Sequence, residues 1–311
     1  MRALARRWLG RVRRWMTAEL DARADKQLVL LGGLHAHRVR ALPFPPTPCG
    51  PASERLRDCE FSVFSQWGED GILQYLVHHV PIAHRTFIEF GVEDYHEANT
   101  RFLLVHDDWQ GLVMDSSSAN VERIRRDAVH WQHDLQARAA FVTRENIEAL
   151  LSGAGFDPDL GVLSIDIDGN DYWVWEAITS VRPRVVACEY NPTFGRDVVT
   201  IPYDAAFSRY AAHHSGLYYG ASLAALEHLG RRKGYVLVGC NTSGTNAFFV
   251  RDDLAPPGLA IEAGAACVES NVRQSRDPEG RLTFVRGSAK RALIAHLAVV
   301  DVETGAVRLL G

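Results

Sequence analysis

The sequence predicts an α/β protein built on a mostly parallel, doubly wound sheet with a closing antiparallel hairpin. Three observations carry this expectation. Short apolar runs rich in Val, Ile and Phe alternate with helix-length segments from about Phe61 onward, the pattern of repeated βαβ units. Several of these runs end in acids or Gly, the strand ends at which open α/β sheets hold their ligands. Finally, Tyr235–Cys240 and Asn246–Val250 read as two strands joined by Asn241–Thr245.

In chain order, Met1–Met16 carries Arg2, Arg6, Arg7, Arg11, Arg13 and Arg14 before any acid, with Leu4, Trp8, Val12 and Trp15 on one helical face. That pattern suits a helix lying on an anionic membrane surface; a basic helix docked on the body is the alternative. A weak helix and the Pro-rich run Pro43–Pro51 follow, so residues 1–60 read as a basic helix and linker. The compact domain is expected over 61–252, with an insertion at 192–221, and residues 253–311 as a small accessory element.

Within the domain, Ser65-Gln66-Trp67-Gly68-Glu69-Asp70 precedes the apolar helix Ile72–Val77. Thr86–Gly91 is a strand ending in Gly, followed by Glu93, Asp94 and Glu97. Together with Glu89, these place four carboxylates where a dinucleotide fold receives pyrophosphate on bare N–H groups. Anion would meet anion, so a cationic, phosphate-free ligand such as S-adenosylmethionine is the better guest. Gly111–Asp115 is a second strand ending in an acid, the position that grips a ribose diol. Ala139–Val142 is expected as a third strand and Arg144–Leu151 as a helix. Val162–Ile167 then runs into Asp166-Ile167-Asp168-Gly169-Asn170-Asp171, where Gly169 lets the backbone turn and Asn170 or Asp171 caps the next helix. A fifth strand, Arg184–Asn191, ends in Glu-Tyr-Asn.

The series Glu89-x-Gly91, Asp115, Asp166–Asp171 and Glu189 resembles a class I, Rossmann-like S-adenosylmethionine-dependent methyltransferase. Within that fold it is similar to the FkbM-type family, whose fourth strand reads Lys-Ile-Asp-Val-Glu-Gly-x-Glu. Asp166, Asp168, Gly169 and Asp171 stand at the Asp, Glu, Gly and Glu positions, and Ser65-Gln66 with Asp70 matches an upstream Ser-Gln-x-x-x-Asp. The resemblance covers roughly residues 60–250. It implies that Glu89, Gly91 and Asp115 contact the cofactor, with Asp166 and Asp168 at the site; Asn99 joins them as a binding candidate. It also implies methylation of a hydroxyl on a glycan or natural product. The loop after Gly91 departs from the family, which has a second and often a third Gly. Either it closes on the cofactor differently or binding has been lost, which would leave a non-catalytic binding protein.

Methyl transfer to oxygen needs a proton removed. Asp168, Glu189 and His213 (or His214 beside it) are the candidate bases. Asp168, Glu189 and Asn191 offer hard oxygen ligands suited to Mg²⁺. Asp166-Ile167-Asp168 is also a DxD triplet, as in metal-dependent glycosyltransferases, but the acidic first loop opposes a diphosphate donor. Aromatics and histidines in 192–221 suggest a substrate lid, with Tyr218 and Tyr219 offering flat faces to a sugar. A net charge of −4 argues against a general nucleic-acid binder. Five scattered cysteines without CxxC spacing (Cys49, Cys59, Cys188, Cys240, Cys267) read as free thiols in a reducing cytoplasm.

Overall fold

The computed structural model describes residues 24–47 and 50–311; the basic segment 1–16 lies outside them. Seven strands form the main sheet: β1 (Thr86–Phe90), β2 (Gln110–Asp115), β3 (Leu135–Ala139), β4 (Val162–Ile165), β5 (Val185–Glu189), β7 (Tyr235–Cys240) and β8 (Asn246–Arg251), in the order β3-β2-β1-β4-β5-β8-β7. The first five are mutually parallel. Strand β8 runs antiparallel to both β5 and β7. This is a mostly parallel, doubly wound, Rossmann-like arrangement with a closing antiparallel hairpin.

The central strands β1, β4 and β5 are buried along their whole length, because helices cover both faces and a run of Val, Ile and Leu is stable there. Ile88 and Phe90 enter one core while Phe87 enters the other, as the two-residue period of a strand requires. The first core also takes Trp175 and Tyr172 from α7 (Asp171–Ala177) and Leu226 from α9 (Leu223–Arg232). The second takes Ile72, Leu73 and Leu76 from α2 (Glu69–His79). Ser222 caps α9 by accepting the Ala225 N–H.

The third strand lies four residues earlier than the apolar run Ala139–Val142 indicated. It is the edge strand, alternating buried Leu135 and Ala137 with half-exposed Gln136 and Arg138, so its signature is alternation rather than a continuous run. Residues 140–142 pass into a loop instead. The following helix, α6 (Ile147–Ser152), starts later than expected because the Asn146 side chain accepts the Thr143 N–H and holds a turn there.

A second, three-stranded antiparallel sheet has the order β10-β9-β6. Strand β6 (Val199–Thr200) comes from the insertion, whereas β9 (Ala298–Asp301) and β10 (Val307–Leu309) come from the C-terminal segment. Phe194, Val199, Ile201, Leu217, Ile294 and Val299 form a core of their own beneath it. The insertion and the C-terminal segment thus fold as one module.

Candidate active site

The C-terminal ends of β1, β2, β4 and β5 open into a cavity of about 590 Å³, within the usual range for small-molecule sites. Gly91 opens the first turn at φ +76°, where a methyl group would overlap the Asp166 carbonyl. Only glycine lets β1 and β4 approach this closely. The loop beyond it has no further glycine, yet it still bends: Glu93 and Tyr95 take left-handed φ values of 48° and 64°. Those conformations are costly for side-chain-bearing residues. Buried Tyr95 holds them, with its hydroxyl 3.1 Å from Thr100 Oγ1 and its carbonyl accepting from Arg101 at 2.6 Å.

Glu89 fastens that loop. Its carboxylate accepts the N–H groups of Asn99 (2.9 Å) and Thr100 (3.1 Å) and the hydroxyls of Thr100 (2.5 Å) and Ser164 (3.2 Å). Burial pushes its pKa up and these four donors pull it back. Asn99, besides its N–H bond, donates through Nδ2 to Ser164 at 3.1 Å. Asp115 accepts from Glu93 N (3.0 Å), Ser117 N (2.8 Å) and Asn120 Nδ2 (3.1 Å). All three line the cavity, but much of their hydrogen-bonding capacity is spent on shaping the wall.

The other end is electrostatically crowded. Asp166, Asp168 and Glu189 bring carboxylate oxygens within 4.8 Å of one another. Asp168, not Gly169, makes the left-handed turn, at φ 56°; Gly169 is required because the Phe207 ring occupies the space of a Cβ. Asp171 does not cap α7. It reaches back to accept the Ile167 and Gly169 N–H groups at 2.8 and 3.0 Å, and burial raises its carboxyl to about 6. Glu189 is 8% exposed, and its Oε2 is buried without a hydrogen-bond partner among the described residues. Burial first, then Asp166 and Asp168, push the Glu189 carboxyl well above the usual range; Asp166 is raised in the same way by burial, Asp168 and Asp171.

Arg209 supplies the counter-charge. It pairs with Asp168, donates through Nε to the Gly216 carbonyl at 2.7 Å, and stacks 3.7 Å above the Tyr219 ring. Sequence reading passed over this residue, as it did Ser270, Gln274 and Lys290 of the C-terminal segment, which also line the cavity. Three expected site residues are placed elsewhere. Asn191 is turned into the protein: its Nδ2 donates to the Leu217 and Tyr219 carbonyls, both at 2.9 Å, and its Oδ1 accepts from Thr193 N. Asp166 stands in its place in the carboxylate trio. His213 is outside the cavity lining, bonded to Ser215 Oγ at 2.7 Å and packed between His214 and His296. Tyr218 lies in the core of the small module with its hydroxyl on the Ala298 carbonyl, and the Tyr219 face is covered by Arg209. Cys59, Cys188 and Cys240 are buried free thiols.

No family model and no curated protein matches the chain. Among solved structures it is similar to the N-terminal domain of EvdMO1 in the presence of SAH and D-fucose, at 12% identity and TM-score 0.39, covering 60% of this chain and 83% of that one. It is also similar to the O-methyltransferase from Bacillus cereus in complex with SAH, at 12% identity and TM-score 0.37, over 58% of this chain and 78% of that one. A third is an S-adenosylmethionine-dependent methyltransferase from Clostridium acetobutylicum, at 8% identity and TM-score 0.37, over 64% and 95%. Among the described residues, no helix is long and apolar enough to cross a membrane.

Proposed function

We propose that the protein is an S-adenosylmethionine-dependent O-methyltransferase acting on a hydroxyl of a glycan or natural product. The observation that carries this reading is a single cavity across the strand ends whose floor is carboxylate rather than cationic. Eight acids line it, Glu89, Asp115, Asp166, Asp168 and Glu189 among them, against two basic residues, Arg209 and Lys290. A sulfonium and an ammonium suit that field; a diphosphate does not. The sheet order supports a division of parts within this reading. Asp115 and the loop at Ala140–Val142, beside β2 and β3, lie at the adenosine end. Gly91 and Asp166 flank the methionine portion, and Glu189, Phe207, Arg209 and Gln274 surround the acceptor.

Glu189 is the general base of this reading. It is the carboxylate with an unpartnered oxygen beside the acceptor region, and its raised proton affinity suits removal of a hydroxyl proton. The trio Asp166, Asp168 and Glu189 also fits a hard divalent cation such as Mg²⁺, since Glu189 Oε2 has no other partner among the described residues. When bound, such an ion would lower the pKa of the acceptor hydroxyl. The left-handed Glu93 and Tyr95 keep the glycine-poor loop bent and the cavity open, which favours a working cofactor site over a lost one. Isothermal titration of the full chain with S-adenosylmethionine and S-adenosylhomocysteine tests the reading. One-to-one binding of both is expected. No heat from either, in protein whose circular dichroism shows it folded, overturns it.

A further inference from the structure

The helix α1, residues 24–40, is docked the wrong way round for an ordinary amphipathic helix. Gly32, Ala36 and Val39 face the body. A methyl group at Gly32 would collide with Val63 and Phe102, and one at Gly33 would lie 2.9 Å from His106 Nε2. Arg40 pins the helix end to Asp107 at 2.8 Å and to Gln74. Because the small residues make the contact, the leucines are left outside: Leu30, Leu31 and Leu34 are 73%, 55% and 68% exposed. Their spacing puts them on one face, with Leu28, itself exposed, beside them. Single exposed leucines are ordinary, but a contiguous patch on a helix marks a contact surface.

We propose that this leucine face rests on an anionic lipid surface, together with the arginine-rich segment just before it. Charge complementarity selects that occupant. Residues 1–16 carry Arg2, Arg6, Arg7, Arg11, Arg13 and Arg14 and no acid, interleaved with Trp8 and Trp15. Clustered arginines are drawn to anionic headgroups, while Trp and Leu partition into the interface. Asp25 is the one acid in residues 24–40. A protein partner could use the leucines, but six arginines within residues 1–16, against Glu19, Asp21 and Asp25 before the leucines, leave a net positive stretch that fits a surface of dense negative charge better.

Flotation of the full chain with vesicles of phosphatidylcholine alone, or of phosphatidylcholine with phosphatidylglycerol, tests this. The chain is expected to float with the anionic vesicles only, and to be released as salt rises. Replacing Leu30, Leu31 and Leu34 together by Ser should lower partitioning about tenfold or more, without lowering the melting temperature. Should that variant fail to fold, Arg→Gln at the six arginines should give the same loss. Unchanged flotation of the folded variants overturns the proposal, as does equal binding to neutral vesicles. A wild-type dimer in light scattering that the leucine variant converts to monomer also overturns it, since the occupant would then be a second copy of the chain.

Discussion

The two ends of the cavity are built on opposite principles. Around Gly91 two buried carboxylates are spoken for: Glu89 holds four donors and Asp115 three. Around Glu189, carboxylates crowd one another, one oxygen has no partner, and a single arginine offsets the charge. Satisfied buried acids rigidify a wall, whereas unsatisfied ones keep free energy available for a ligand. On the proposed reading, the difference separates the part that shapes the cofactor pocket from the part that acts on the acceptor.

Mutation should break the first end by unfolding it and the second by silencing it. Glu89→Ala leaves two buried N–H groups and two hydroxyls without their acceptor, at about 1–3 kcal/mol for each one left unsatisfied. A net loss of about 4 kcal/mol is expected in urea unfolding, together with loss of cofactor binding in calorimetry. If Glu89→Ala were stable and still bound S-adenosylmethionine, the loop would not depend on this clasp.

Glu189→Gln should do the reverse. It keeps the shape and removes the charge, so cofactor affinity should hold while kcat falls by about 10²–10⁴. Stability should not fall, because no hydrogen bond to Glu189 Oε2 is lost. The sign with pH follows from the raised carboxyl. A carboxyl whose folded pKa lies above its unfolded one stabilises the fold at pH below the unfolded value, and that contribution is lost as pH rises through the folded one. Glu189→Gln should therefore flatten the decline in melting temperature of the unligated protein on the way to neutral pH. A wild-type kcat would remove Glu189 as the base.

The carboxylates of both ends were legible in the sequence; the residues brought to the second end from distant segments were not. The central strands are buried on both faces, so an apolar run ending in Gly or an acid announces both the strand and its functional tip. The exceptions lie where one of those conditions is absent. Strand β3 lies at the edge and alternates, so the apolar run beyond it looked more like a strand than it did. Asn191 follows β5 beside an acid, which suggested a ligand, but side-chain direction depends on the carbonyls of Leu217 and Tyr219, found 26 and 28 residues away. Arg209 reaches Asp168 across 41 residues from an insertion whose path follows from its own small core. Lys290 comes from a segment with weak periodicity, and at the cavity wall its Nζ donates to the Ser270 and Val272 carbonyls, 20 and 18 residues away.

The smallest effect gives the finest test of how the reactive end is tuned. Asp168 sits at a left-handed φ that Asn tolerates nearly as well, so Asp168→Asn changes charge with little strain. The Asp168 side chain is 62% exposed and that of Arg209 17%. Asp166 and Glu189 still face the guanidinium when Asp168 is neutral, so losing the half-open pair should cost about 1 kcal/mol or less. Stability should therefore scarcely move. The neighbours should respond, because Asp168 raises the carboxyls of both Asp166 and Glu189. Removing its negative charge favours their ionised forms, and it frees Arg209 to act on them as well. The acidic limb of the pH–kcat profile should move to lower pH, with the plateau set by acceptor positioning. A limb that stays in place would mean that burial alone sets the proton affinity of Glu189, and that the Asp168–Arg209 pair positions the lid without tuning the base.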